Sequence, residues 1–419
     1  MRLSLRKNTA NPFRVIKDLI QITILFFFLF EIPIAGPITT RRAACACALI
    51  YVLIFRSRWV EISENCNIKK LRRFLLSLFL CFTISAINYL FYPQTSLIVV
   101  YCGPHFYVYE FLFIYIFGIY VFLAFGDEND FFLKYIAVIM IQTVSVYIAA
   151  FNRNVRMYFY ENFYTGDDRF GLTVSTGKRI MGIGLHSSMG SLILFSGCIA
   201  LVVMRRKRYI SATVFSILYT LVLGSTFLIG RTGFYFSIVL FLFYTLLSSD
   251  KSKTIYSGIL VALFATYGLF LILSKMNANV ASRFMAWSFE IFNEETRFDT
   301  INTLREMPFP KFSMQSFFGT NILRGITTNG TVIRNDSGYV EMIGGLGYIG
   351  SFIYFSGYLN LFTAPNFERS NTKSKLFSYF FIASIFIYEI KEPCILRYDV
   401  AMMIFVVLLH DAKTRRVLE

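Results

Sequence analysis

The sequence predicts an all-α, polytopic integral membrane protein, and three observations carry that expectation. Of 419 residues, 56% are hydrophobic and only 16% charged, against about 25% charged in soluble domains. Phe contributes 48 residues and Tyr 26, while Pro is held to 9. Apolar stretches near the ~20 residues that a helix needs to cross a bilayer core recur along the whole chain. A soluble fold with so few charges would expose large apolar patches.

Read in order, the candidate spans are about 19–37, 38–55, 74–92, 105–125, 135–151, 183–204, 209–229, 233–249, 255–274, 338–362, 376–390 and 399–411. The first follows Lys17 and runs through Leu19 to Phe30. Glu31, Pro33 and Pro37 stand where a small-residue cleavage site would follow a signal peptide, so it reads as an uncleaved helix. The second, eleventh and twelfth are short or poorly bounded. The expected count is therefore about twelve, with eleven as the alternative. The chain reads as one polytopic domain.

Orientation follows from charge. With the N-terminus inside, 24 of the 41 basic residues fall on the inner side and 17 outside. Short loops set topology, and Arg205-Arg206-Lys207-Arg208 is the strongest anchor among them. Both termini are then expected in the cytoplasm, with two large outer loops, about 152–182 and 275–336. The net charge of +16 belongs to this topology rather than to nucleic-acid binding, because the basic residues are scattered between apolar stretches. The seven cysteines show no CxxC or metal spacing and read as packing residues. His105, His186 and His410 are too dispersed for a metal site.

Several short motifs carry candidate chemistry. Gly230-Arg231-Thr232-Gly233 joins spans seven and eight and puts a guanidinium near the outer surface. Arg has five fixed donors suited to bidentate phosphate contact, although an interfacial Arg that snorkels to water fits the same position. The first outer loop carries Asp167-Asp168-Arg169 and Lys178-Arg179; the second carries Arg283 and ends in Arg334-Asn335-Asp336-Ser337-Gly338-Tyr339. Span ten holds five glycines between 338 and 350, a pattern of close helix packing, together with Glu341. An ionisable group inside a span is expensive and is usually functional or paired. Glu31 and Glu110 invite that reading in weaker context. Asp336 also fits the N-cap of span ten.

These features resemble the O-antigen (Wzy-type) polysaccharide polymerases. The resemblance rests on the Gly-Arg-Thr-Gly turn before an aromatic span, the large outer loop, and the Asp-Ser-Gly-Tyr start of a glycine-rich span. Members of that family have Arg-x10-Gly in each of two outer loops, and Arg179–Gly190 and Arg334–Gly345 fit that spacing. The resemblance implies an enzyme of the bacterial inner membrane acting on its outer face. It would transfer a growing glycan from undecaprenyl pyrophosphate to the terminal sugar of a lipid-linked repeat unit. Its partners would be that lipid-linked glycan and, in the same membrane, a chain-length regulator and a flippase; no nucleic acid is expected.

The leaving group is already a pyrophosphate, so cations that hold developing charge are the main requirement, and neither a metal nor another cofactor is expected. Arg179, Arg231 and Arg334, with Arg169 and Arg283, are the expected substrate-binding residues. Asp336 or Glu341 would serve as base. Two alternatives remain. An O-antigen ligase would be expected to carry a histidine in the large outer loop, and residues 275–336 hold none. A lipid-linked oligosaccharide flippase or other transporter would be expected to show internal repeats or broken helices. No repeat is found, and Pro33 is the only proline read as lying well inside a span.

The topology has a direct test. On a background without native cysteines, an impermeant thiol reagent added from outside should label Ser313→Cys and leave Ser252→Cys unlabelled; the reverse pattern overturns the orientation.

Overall fold

The computed structural model describes residues 12–35, 38–65, 69–91, 104–163, 174, 180–184, 187–248, 255–261, 263–264, 267–268, 274, 282, 312, 314–319, 326–328, 331–333, 337–363, 372–390, 395 and 398–416. They are overwhelmingly helical, as expected. The non-helical elements are two short antiparallel hairpins, β1 (Pro33–Ala35) with β2 (Ile38–Thr39), and β3 (Ile326–Thr328) with β4 (Thr331–Ile333). Among the described residues, four helical stretches are long and apolar enough to cross a membrane: Leu71–Asn88, Tyr107–Ala124, Glu128–Phe151 and Ala212–Ile229. Their outward faces carry large apolar side chains such as Leu76, Phe79, Val144 and Ile148. An apolar medium accepts such faces and water does not.

Helix α1 (Pro12–Leu29) stops earlier than the span expected to reach residue 37. Proline lacks an N–H, so Pro33 cannot return one to the Leu29 carbonyl, and it opens β1 instead. Pro33 therefore lies outside the helix. Thr39 caps α2 (Thr40–Ile54), accepting from the Arg42 N–H at 3.5 Å. Arg41, in the first turn of α2, closes the end of α1. Its guanidinium donates to the Phe28 and Leu29 carbonyls at 2.8 and 3.2 Å and pairs with Glu31 at 3.2 Å.

After Phe55 the short α3 (Arg56–Asn65) leads to α4 (Lys69–Phe91). Then follows a rod made of α5 (Pro104–Glu110), a π-helical turn (Phe111–Ile116) and α6 (Phe117–Ala124). Phe28 of α1 stacks on Phe117 with centroids 3.7 Å apart. Helix α7 runs over Glu128–Phe151 and begins seven residues before the expected boundary at 135. Asp127 caps it, accepting from the Asp130 N–H at 2.7 Å, and Glu128 and Asp130 suit its positive end. Lys134, read from sequence as a loop cation, is thus buried in the first turns of α7. It donates to Gln21 at 2.5 Å and pairs with Asp130 at 2.7 Å and Asp18 at 2.9 Å.

Beyond α8 (Arg153–Phe163), α9 (Ser187–Arg206) is buried from Gly190 to Met204 and packs on α7, on α10 (Ala212–Ile229) and on α11 (Arg231–Leu247). The chain then gives the short α12 (Met314–Phe318), α13 (Gly338–Phe362), α14 (Thr372–Glu389) and α15 (Tyr398–Arg416).

Helix α13 departs most from expectation, because it does not run straight. At Gly347 φ is +71° and ψ 179°, a region open essentially to glycine alone. The rings of Tyr339 and Phe355 lie 4.9 Å apart, whereas sixteen residues of straight helix would separate them by about 24 Å. The segment is therefore a helical hairpin, with arms 338–346 and 348–362 folded against each other. Gly319, just after α12 and itself at φ +87°, meets Gly347 backbone to backbone. A Cβ on Gly347 would collide with the Phe317 carbonyl and the Gly319 N–H, and a Cβ on Gly319 with the Gly345 carbonyl. The Asn88 side chain of α4 donates to the Phe318 carbonyl at 2.6 Å, fixing α12 there. The long arm lies along α4, with Gly357 against Ser77 and the Tyr358 ring 5.1 Å from Phe74.

Gly347→Ala is expected to cost about 1–3 kcal/mol or more of stability, from the backbone region alone. Thermal unfolding in detergent should register that loss. Gly268→Ala, where a Cβ meets nothing within 4 Å, should leave the transition unchanged.

Candidate functional site

The expected site residues fall into two groups. Arg231 and Glu341 are described; Arg169, Arg179, Arg283, Arg334 and Asp336 lie outside the described residues. Arg231 is the first residue of α11, and the single residue Gly230 separates it from the end of α10. No side chain caps α11 at Gly230. Its first N–H groups and the guanidinium thus share one end of the helix, an arrangement suited to an anion.

The two glycines of this corner do different work. Gly230 has φ −165° and ψ 130°, extended backbone that any residue adopts. Gly233 is required by proximity, since a Cβ there would meet the Ser191 backbone and side chain of α9 at 2.5 to 2.8 Å. On the other side of the corner, Ile180 donates its N–H to the Leu228 carbonyl at 3.2 Å. The Ile183 N–H donates to Gln142 Oε1 at 3.1 Å. Segment 180–184 is therefore held between α7 and the end of α10.

Glu341 sits in the first turn of the short arm of α13 and is buried. The cap position of that arm is Ser337, with φ −78° and ψ 122° and no side-chain cap hydrogen bond. That corrects the expectation of Asp336 as N-cap, because the helix begins one residue later than such a cap requires. Helix α14 connects the Glu341 arm to the Arg231 corner. Tyr339 donates its hydroxyl to the Phe386 carbonyl at 2.9 Å. Two residues on, the Tyr388 ring lies 5.4 Å from Phe236 of α11, and the Tyr388 hydroxyl is 3.1 Å from Ser191 Oγ. The start of α11, the start of α9 and the short arm of α13 thus meet α14 within one turn.

A second polar cluster was given little weight in the sequence. Glu110, fully buried at the end of α5, accepts hydrogen bonds on Oε1 from the hydroxyls of Tyr354 at 2.5 Å and Tyr358 at 2.9 Å. The available signal was the Tyr-x-x-x-Tyr spacing in span ten, which puts both rings on one helix face. Elsewhere, buried hydroxyls return to their own helix: Ser196, Ser225, Thr226 and Ser237 donate to carbonyls three or four residues back. The described cysteines are free thiols, with Cys45, Cys81 and Cys198 buried as packing residues.

Comparison of the chain with protein-family models, with curated proteins and with solved structures gives no match.

The corner has a structural test separable from its chemistry. Gly233→Ala should push α9 and α11 apart and lower stability by about 1–3 kcal/mol, read as reduced membrane level and an earlier melting transition. Gly268→Ala, where a Cβ meets nothing within 4 Å, should leave both unchanged.

Proposed function

We propose that the chain is a polysaccharide polymerase of the O-antigen (Wzy) type, with about twelve membrane-crossing segments and both termini in the cytoplasm of a bacterium. It joins undecaprenyl-pyrophosphate-linked repeat units on the outer face of the inner membrane. The observation that carries the reading is the Gly230–Arg231 corner: a permanent cation on an uncapped helix start, joined through one turn of α14 to the arm that bears Glu341. Two pyrophosphate-bearing lipids need such cations, and the reaction asks little else, because the leaving group departs as an anion.

In this reading Arg231 binds the donor pyrophosphate, bidentate through its guanidinium. Arg179 and Arg334 complete the clamp at the ends of the two large loops, and Arg169 and Arg283 hold the acceptor lipid. Glu341 or Asp336 takes the proton from the attacking sugar hydroxyl. That hydroxyl oxygen bonds to the anomeric carbon as the bond to the pyrophosphate oxygen breaks.

One observation favours a second reading. Broken helices mark transporters that bind their substrate inside the bundle, and α13 is broken at Gly347. On that reading the chain is a lipid-linked oligosaccharide flippase. Deletion of the gene separates the two on a gel of the surface glycan. Loss of the long ladder with one repeat unit kept supports polymerase; loss of every repeat supports flippase or ligase.

Residue tests follow from the same assay at matched membrane level. Arg231→Ala should abolish chain extension, while Arg206→Ala retains it. Arg334→Lys keeps the charge without the planar fork, so it should shorten the ladder. Asp336→Asn should do the same if that carboxylate is the base. A full ladder from Arg231→Ala would remove the clamp.

A further inference from the structure

The Glu110 cluster uses none of the residues assigned above and stands on its own geometry. Glu110 ends α5, directly before the π-helical turn; such turns occur frequently at functional positions in helices. Its carboxyl is entirely enclosed, and its Oε1 takes both tyrosine hydroxyls. Its Oε2 is buried with no hydrogen-bond partner among the described residues.

Among the described residues, the neighbouring elements supply no counter-charge. Helix α4 presents the Cys81 thiol, which reaches the Gly350 carbonyl at 3.7 Å, and the buried Ser77 and Ser85. The long arm of α13 presents Tyr354, Tyr358 and Ser351; the rod itself adds Tyr107, Tyr109, Tyr115 and Tyr120. On α2, Arg41 is committed to Glu31 and the end of α1, while Arg42 lies over the Tyr109 ring at 4.9 Å. On α15, His410 packs against Phe122, twelve residues along the rod from Glu110.

An ionised carboxylate enclosed in this way would keep a buried charge without a cation, which costs several kcal/mol even after relaxation. Two neutral donors on one oxygen offset part of that cost and leave the other oxygen bare. A proton on Oε2 removes the charge and leaves Oε1 as the carbonyl-like acceptor that both hydroxyls need. The unpaired neutral hydroxyl that results is the smaller penalty.

We propose that Glu110, Tyr354 and Tyr358 form a proton-binding site within the bundle, where the neutral carboxyl clamps the long arm of α13 to α5 and loss of its proton loosens that arm. The ligand is a single proton, carried on Oε2 and exchanged with water. Ionisation draws water towards the bare carboxylate and weakens the contact that holds the arm to α5. This assignment is independent of the polymerase reading, since it concerns a protonation state and the mobility of one arm, neither of which needs an activity to be seen.

The test uses the full-length purified protein in lipid nanodiscs. Infrared spectra at neutral pH should contain a protonated-carboxyl stretching band that disappears in Glu110→Gln. The band should move to higher frequency in Tyr354→Phe and Tyr358→Phe, each of which removes one hydrogen bond from the carbonyl. Hydrogen exchange across 348–362, corrected for the intrinsic pH dependence, should quicken on the order of tenfold as Glu110 ionises. Glu110→Gln keeps the acceptor and cannot ionise, so its exchange should be flat with pH. Should Glu110→Gln fail to fold, the frequency shifts in the two Phe variants still identify the band. Absence of a protonated-carboxyl band that responds to any of the three substitutions overturns the proton site. Arm exchange that is flat with pH in the unsubstituted protein overturns the clamp.

Discussion

A helix that stops inside an apolar medium leaves carbonyl and N–H groups with no water to bind, so each stop must be closed by the protein. Much of this fold reads as a set of such closures. The end of α1 is closed by Arg41, which spends its guanidinium on two carbonyls and one carboxylate. Between α10 and α11 only Gly230 intervenes; its N–H returns to the Thr226 carbonyl at 2.8 Å. The break in α13 is filled by another piece of chain, the Phe317–Gly319 backbone, and Asn88 takes the Phe318 carbonyl. Some buried hydroxyls bond back along their own helix, as those of Thr226 and Ser237 do, while others, such as Ser191 with Tyr388, join two helices.

That constraint explains what the sequence does and does not disclose. Hydropathy reports which residues avoid water, so the helical class and most helix positions were legible. It carries no information on whether an apolar segment crosses once or folds on itself. Residues 338–362 have the same composition as a straight rod or as a hairpin, and the glycine run was read as a packing signal. The deciding facts are the positive φ at Gly347 and its contact with Gly319, which is 28 residues distant in the chain. The start of α7 was a readable miss. Asp127-Glu128-Asn129-Asp130 has the form of a helix start, but charge counting assigned Lys134 to a loop, and the partners that let it be buried, Gln21 and Asp18, lie more than a hundred residues earlier.

The candidate site divides along similar lines. Arg231 was legible because a Gly-Arg-Thr-Gly turn between two apolar runs has few uses, and the structure places it at the start of α11. Glu341 was legible as an ionisable group in an apolar run, but its connection to the Arg231 corner through Tyr339 and α14 was not. Glu110 has the same local signature as Glu31. The difference between them lies entirely in what they meet: a salt bridge within ten residues for Glu31, and two tyrosines from the far end of the chain for Glu110.

That distance gives the cluster a place in time as well as in space. Glu110 and Tyr354 are separated by 244 residues, and a ribosome adds about 5–20 residues per second. For roughly 12 to 50 s after Glu110 emerges, the tyrosines that will receive it do not yet exist. The α10–α11 pair, joined by one residue, needs no such delay and can close as soon as it is made. Assembly thus has an order written into it: the helix pair around Arg231 forms first, and the α5–α13 contact waits until Tyr354 and Tyr358 have been made. During that wait an acidic side chain must be inserted or sheltered without its final neighbours, which makes Glu110 the point where the nascent chain depends most on whatever accompanies it into the membrane.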